Sequence, residues 1–404
     1  MTPRRTAAAV LAFVVVAGGG CAARSSSPTG AHRPVIRPDP TTSVPPTSTS
    51  LAPSATPTTV PAPVAPPPGW TAALTSLPPG GGFTSLSCIS DTFCVAAGGG
   101  TDDAGGPTTT GAGVTVSWDG ASWSEPSLYY PAPGTGAVTA PVLPSISCTA
   151  GPSCAIVDGS DHFSRGDGTN WSAPVPMTTA PELPANPADP GPGHPGSRSS
   201  SVSCPSATFC AVVDNTGHTT AMRGGSWLAP QAFAQGGPGP VSLYQAGRVG
   251  MACLSNSFCT AVVGAAVLDW DGTTWSEEPT PWTVMPPAGP TAMACPSTHL
   301  CAIVAGSNLW VRNGQGWTSG GTIDPGGALN AISCPTASFC LATDTTGKAL
   351  TWNGSSWSSP RQVVPPAIQY PDRGTFLSCP SASFCMVMNG DGDYATYAAP
   401  GTAG

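Results

Sequence analysis

The 404-residue sequence has little charge: Asp, Glu, Lys and Arg make up 8% of it, against roughly a quarter in ordinary soluble proteins. Lys348 is its only lysine, and Glu125, Glu182, Glu277 and Glu278 are its only glutamates. Solubility therefore rests on Ser, Thr, Asn and backbone groups rather than on a charged shell. The formal charge is −8 and no basic stripe offsets it, which argues against a nucleic-acid partner. Five histidines at non-equivalent places supply no repeated zinc ligands, and no metal site or cofactor is predicted. No Gly-x-Ser-x-Gly elbow with a matching acid and base is present, so nothing points to a serine hydrolase.

Long apolar runs are also missing. The N-terminal stretch AAAVLAFVVVA (7–17) is too short to span a bilayer well. Preceded by Arg4 and Arg5, it reads as an export signal over residues 1–20. GGG then leads into Cys21, an arrangement that resembles the lipobox of bacterial lipoproteins. That resemblance implies a lipidated Cys21 as the mature N-terminus and a lipid anchor in the cell membrane; a freely secreted chain is the alternative. Residues 21–68 are nearly all Ser, Thr, Pro and Ala, as in TTSVPPTSTSLAPSATPTTV. They have no periodic apolar face, and the prolines keep them extended, a stalk reaching on the order of 100 Å.

Cysteine, by contrast, is abundant. Apart from Cys21, fourteen remain, and all fall into pairs with five residues between. These are Cys88 with Cys94, Cys148 with Cys154, Cys204 with Cys210, Cys253 with Cys259, Cys295 with Cys301, Cys334 with Cys340, and Cys379 with Cys385. An exported chain meets an oxidising environment, so seven local disulfides are predicted, each where a five-residue hairpin loop closes. The repeat extends beyond the clamp, as in NAISCPTASFCLATDTTGKALTWNGSSWSSP (330–360). Each copy contains four short β-type runs separated by turn chemistry: PSAT or similar, DxxG, and DG or NG. A period of about 40–50 residues with four strands per unit is the signature of a β-propeller blade.

The seventh copy stops after its third strand. Its missing W-S-type segment stands before the first copy, as GWTAALTSLPPGGG (69–82), comparable with GWTSGGTIDPGG at 316–327. An N-terminal strand completing the last blade closes a ring and removes the open edge. The predicted fold is therefore all-β, a seven-bladed propeller over 69–400 and a monomer. The S-x-S-C strand lies innermost, where small side chains fit the narrow centre. The C-x5-C and DG/NG turns share one face; the DxxG turns and the long interblade loops share the other.

The repeat C-P-S-A-S-F-C … D-x-x-G … W-N-G-S-S-W-S resembles one in exported actinobacterial proteins described as sialidase-like or BNR-like propellers. The resemblance implies the fold and no established activity. The Asp-box of sialidases places Asp five positions before Trp, whereas Asp119, Asp271 and Asn353 each precede Trp123, Trp275 and Trp357 by four.

Function follows from what the loops carry. A sialidase-like glycosidase at the axial mouth needs an arginine cluster, a nucleophile pair and an acidic donor. Glu125 and Glu277 fall on outer strands, far from the axis. Arg198, Arg248 and Arg373 precede the first cysteine of their blades by five or six residues, so they enter near the mouth. Two readings stand for them: a cluster that binds a carboxylate or other anion, and solvated loop arginines. Tyr129, Tyr130, Tyr244, Trp282 and Tyr370 sit in the long loops. They form either a surface for sugar or protein or anchors for their own loops. Asp158, Asp214 and Asp344 read as turn caps, NGDGDY (389–394) as a polar hairpin turn, and Trp123, Trp171, Trp227, Trp275, Trp317 and Trp357 as blade packing. The expected role is an envelope-anchored binding or scaffold module for a cell-wall glycan or envelope protein, with the glycosidase as the alternative.

Overall fold

The computed structural model describes residues 66–71, 82–99, 113–130, 144–158, 162–177, 200–214, 217–233, 249–264, 266–279, 291–314, 316–369 and 373–399. They form seven antiparallel sheets, each an up-and-down meander running outward from its first strand. Blade one is β1 (Gly82–Ser90), β2 (Phe93–Gly99), β3 (Gly113–Trp118) and β4 (Ser127–Tyr130). Blade two is β5 (Ser145–Thr149), β6 (Ser153–Val157), β7 (His162–Gly166) and β8 (Val175–Pro176). Blade three is β9 (Ser200–Ser206), β10 (Phe209–Asp214) and β11 (His218–Arg223). Its outer strand is split into β12 (Ser226–Trp227) and β13 (Gln231–Ala232). Blade four is β14 (Gly250–Ser255), β15 (Phe258–Val263), β16 (Ala266–Trp270) and β17 (Trp275–Glu278). Blade five is β18 (Ala292–Ser297), β19 (Leu300–Ala305), β20 (Asn308–Arg312) and β21 (Trp317–Thr322). Blade six is β22 (Leu329–Thr336), β23 (Phe339–Asp344), β24 (Lys348–Trp352) and β25 (Arg361–Gln362). Blade seven is β26 (Thr375–Ser381), β27 (Phe384–Asn389) and β28 (Tyr394–Ala398).

The predicted closure is present. Trp70 bridges Tyr397, with Thr71 N–H donating to Thr396 O at 2.9 Å and Ala398 N–H to Gly69 O at 2.7 Å. The N-terminal segment thus supplies the fourth strand of blade seven. On the other side, Phe83, Leu86 and Val116 of blade one share a core with Met386, Met388 and Tyr394 of blade seven.

There is no single core. The described apolar side chains form seven clusters, one at each interblade junction. This is why second strands such as β10 (FCAVVD) read as continuous apolar runs: both faces meet a neighbouring blade or their own. The six blade-end tryptophans belong to these clusters, from Trp275 at 4% exposure to the half-buried Trp123, Trp171, Trp227 and Trp357.

Each blade carries its predicted disulfide, joining first strand to second. The bonds are Cys88 to Cys94, Cys148 to Cys154, Cys204 to Cys210, Cys253 to Cys259, Cys295 to Cys301, Cys334 to Cys340, and Cys379 to Cys385. Their Cα atoms lie 3.9 to 4.1 Å apart, a close approach that belongs to directly opposed, non-hydrogen-bonded pairs.

The pairing is as expected, but the surroundings correct the picture of a clamp at the end of a five-residue loop. The second-strand partners Cys94, Cys154, Cys210, Cys259, Cys301, Cys340 and Cys385 are all buried. Each is packed into an interblade cluster. They are core side chains as well as staples, because the second strand has a neighbour on both faces. The hairpin is also tighter than the spacing suggests. In blade one Ser90 pairs with Phe93 beyond the clamp, and a bulge after Cys88 absorbs the extra residue. Blade two has no bulge and turns through a three-residue loop, where Gly151 adopts φ 84°, a left-handed conformation that glycine enters without strain. On the entropic account each short bridge contributes about 2 kcal/mol.

Candidate functional site at the mouth of the ring

The innermost strand of each blade leaves a row of amides facing its neighbour, and the serine of S-C covers them. Cys148 N–H donates to Ser87 Oγ at 3.0 Å, Cys204 to Ser147 at 2.9 Å, and Cys253 to Ser203 at 3.0 Å. Cys379 N–H donates to Ser333 Oγ at 3.1 Å, and across the seam Cys88 donates to Ser378 at 2.9 Å. A second rung joins Ile146 N–H to Ser85 Oγ and Val202 N–H to Ser145 Oγ. Sequence reasoning explained these serines by size and missed their bonding. The signal was the residue before the first cysteine: serine in five blades, alanine (Ala252, Ala294) in two.

At the mouth end, the second strand of several blades stops in a carboxylate or amide that caps the following turn. Asp158 Oδ1 accepts His162 N–H at 2.9 Å, and Asp214 Oδ1 accepts His218 N–H at 2.9 Å. Asp344 Oδ1 accepts from Thr346 and Lys348 N–H at 2.9 and 2.8 Å. Asn389 Oδ1 does the same for Asp391 and Asp393 at 3.0 and 2.9 Å. The turn-cap reading holds, and NGDGDY is a polar hairpin turn organised by Asn389. His162 and His218 place Nδ1 3.5 and 3.4 Å from the carboxylates they follow. Between blades six and seven, buried Thr375 bonds Asn330 Oδ1 and Thr343 Oγ1 at 2.7 and 2.8 Å, fastening the two blades just below the mouth.

Two sequence-predicted site residues are corrected. Tyr129 is 3% exposed and packs edge-on to Trp171 at 6.2 Å. Its ring occupies the space that a Cβ at Gly113 would fill, so it belongs to the core between blades one and two and presents nothing to a ligand. Arg373 donates its guanidinium to Gly82 O, again over a glycine whose Cβ would collide with it. It fastens the seam between blades seven and one instead of waiting for an anion. Tyr130 pairs by its backbone with Gly113. Arg198, Arg248, Tyr244, Trp282 and Tyr370 lie outside the described residues, as do Cys21 and the stalk as far as residue 65.

The described glutamates sit on the rim. Glu125 follows the Trp-Ser segment of blade one and is exposed, and Glu277 is on the outer strand β17. Glu278 accepts from Arg312 at 2.9 Å and Trp317 Nε1 at 3.0 Å. Arg312, buried, also donates to Asp269 at 2.7 Å and lies 5.6 Å from the Phe258 and Trp317 ring centroids. It is a lock between blades four and five that the sequence did not flag. Asp324, at the mouth between blades five and six, is held above the usual carboxylate range by burial first and by the charge of Asp344 second, with Lys348 opposing. On the opposite face, Asp271 caps its DG turn through Thr273 and Thr274 and is lowered to about 2.

These features define the class: a seven-bladed β-propeller. No family model matches the chain, and no curated protein matches its sequence. Solved structures share the ring. The chain is similar to YCF48 bound to D1 peptide, with TM-score 0.51 and 15% identity over 83% of this chain and 99% of that one. It is similar to YCF48 from Cyanidioschyzon merolae, with TM-score 0.50 and 12% identity over 82% and 100%. It is also similar to the WD40 β-propeller domain of Doa1, with TM-score 0.50 and 12% identity over 83% and 99%. At these identities the likeness is one of fold. Seven disulfides point to an oxidising, extracytoplasmic setting, and among the described residues no helix is long and apolar enough to cross a membrane.

Proposed function

We propose that this chain is an extracytoplasmic binding or scaffold propeller. It is anchored through a lipid on Cys21, raised on the 21–68 stalk, and presents the mouth of its ring to an envelope protein. The observation that carries this reading is the unequal variation of the two faces. The clamp end is built alike in every blade, while the interblade connections range from the short turn at 323–328 to a stretch of about thirty residues at 172–200. Rigid scaffolds with variable loops on one side are binding architectures. The described glutamates lie on the rim, away from the axis, which favours binding over glycoside hydrolysis. YCF48, which has the same ring, is described as bound to D1 peptide, and polypeptide is the partner chemistry favoured here.

The test presents the immobilised intact chain with solubilised envelope proteins and, separately, with purified cell-wall glycan. Retention of a defined envelope protein, lost when 178–199 is replaced by a short Gly/Ser loop, supports the reading. Retention of glycan alone assigns the mouth to carbohydrate, and retention of neither removes the proposal. Mass spectrometry of the mature N-terminus with and without globomycin decides the lipid on Cys21.

A further inference from the structure

One buried carboxylate at the mouth lacks a donor. Asp324 opens the DPGG turn (324–327) after β21, is 2% exposed, and its Oδ2 has no hydrogen-bond partner. The side chain folds back over Gly327, where any Cβ would fall within the carboxylate. Its backbone N–H is tied to Ser307 O of blade five. Asp344, 0% exposed, projects from blade six, near enough for its charge and that of Lys348 to act on Asp324. The Lys348 ammonium stands 3.9 Å from Asp344 Oδ2, and its side chain is 42% exposed. Two buried carboxylates therefore face a single, half-solvated ammonium, and net negative charge remains where water is scarce. A buried oxygen in this condition calls for a proton, a water or an ion.

Asp158 and Asp214 hold the same position in their turns, each followed by a cation at the fourth residue. Asp344 differs because a second carboxylate from the preceding blade reaches it. Blades five and six also lack the serine rung, since Ala294 stands where the serine would be. A cation shared by Asp324 and Asp344 would join those two blades. We propose that Asp324 and Asp344 form a weak site for a hard divalent cation of calcium's class, with the Lys348 ammonium holding its place when no cation is bound.

Hard cations accept carboxylate, hydroxyl, carbonyl and water oxygens together. Among the described residues no third carboxylate, imidazole or thiolate converges with these two, so neutral oxygens complete the shell. Two carboxylates and a competing ammonium set the affinity in the range of extracellular calcium modules, about 10⁻⁴ to 10⁻³ M. Lys348 can swing to solvent without losing a bond beyond its long contact to Asp344.

The test is thermal unfolding of the intact chain in EDTA, in calcium chloride, in magnesium chloride and in sodium chloride of matched ionic strength. At calcium tenfold above its dissociation constant, the folding equilibrium constant is expected to rise about tenfold. Lys348→Met, which removes the competing ammonium, is expected to tighten calcium severalfold. Asp324→Asn is expected to remain folded and lose the response. No calcium response in either the parent chain or Lys348→Met overturns the proposal. A response that survives Asp324→Asn, or that sodium chloride reproduces, does so equally. A transition that follows pH and ignores calcium assigns the pair to a shared proton and also defeats it.

Discussion

Five junctions of the ring are sealed one way and two are not. From blade six through the seam to blade four, each first cysteine of one blade donates its amide to the serine of the blade before it. Between blades four and five, and five and six, that serine is Ala252 or Ala294. The first of these junctions has the Arg312 lock with Asp269 and Glu278. The second has a backbone bond from Leu329 N–H to Gly306 O at 2.8 Å and Thr291 Oγ1 donating to Leu329 O at 2.9 Å. An inner strand needs its exposed amides or its neighbour secured, and quite different chemistry does so. Because every junction also has its own apolar cluster, one fastening can be exchanged without disturbing the other six.

The most severe way to break the comparison is to make the whole ring an alanine arc. Replacing Ser87, Ser147, Ser203, Ser333 and Ser378 together by alanine should cost about 1 kcal/mol per site. The sites lie at separate junctions, so the losses should add to about 5 kcal/mol. Urea denaturation measures this, and an unchanged midpoint would show that water covers the amides as well as serine does. Next is Arg312→Ala, expected to cost about 3 kcal/mol because it leaves two carboxylates and the Trp317 indole facing a gap. A smaller loss than that of a single serine replacement would mean that apolar packing alone holds blades four and five. The converse change sharpens the comparison: Ala252→Ser and Ala294→Ser should each add up to about 1 kcal/mol. Neither should alter the denaturant slope.

The ring was legible because its signals are local and repeated. Fourteen cysteines pair without remainder, and the missing seventh W-S segment reappears at Trp70. Register could be read too, since opposed cysteines at six-residue spacing fix the first hairpin. What the sequence hid was partnership between blades. Ser87 and Cys148 are 61 residues apart, Arg312 and Asp269 are 43 apart, and nothing in either local pattern names the other. The same blindness applied to the second cysteine of each clamp: Cys94 and Cys385 close their own hairpins, yet the packing that buries them comes partly from the next blade. Tyr129 misled for a related reason: it stands near a long loop in sequence, yet the small Gly113 on the adjacent strand draws its ring inward. Arg373 was placed correctly near the mouth, but Gly82 of another blade decided its bond.

The least expected effect separates the two faces by acid. Asp271 sits in an exposed DG turn on the clamp face, and its carboxyl is lowered from 3.8 to about 2 by the Thr273 hydroxyl and the Thr274 and Thr273 amides. A lowered folded value means that the ionised form is favoured by folding, so the contribution is present above the unfolded value and is lost as pH falls toward 2. Blade six makes the same turn with Asn353, whose Oδ1 accepts Ser355 and Ser356 N–H, each at 2.9 Å. Asp271→Asn should therefore keep the turn and remove its acid dependence. Chemical denaturation at pH 7 should barely distinguish the variant from the parent, while between about pH 4 and pH 2 the parent should lose stability relative to it. A constant difference across that range would mean that hydrogen bonds to the neutral side chain, rather than charge, hold the turn.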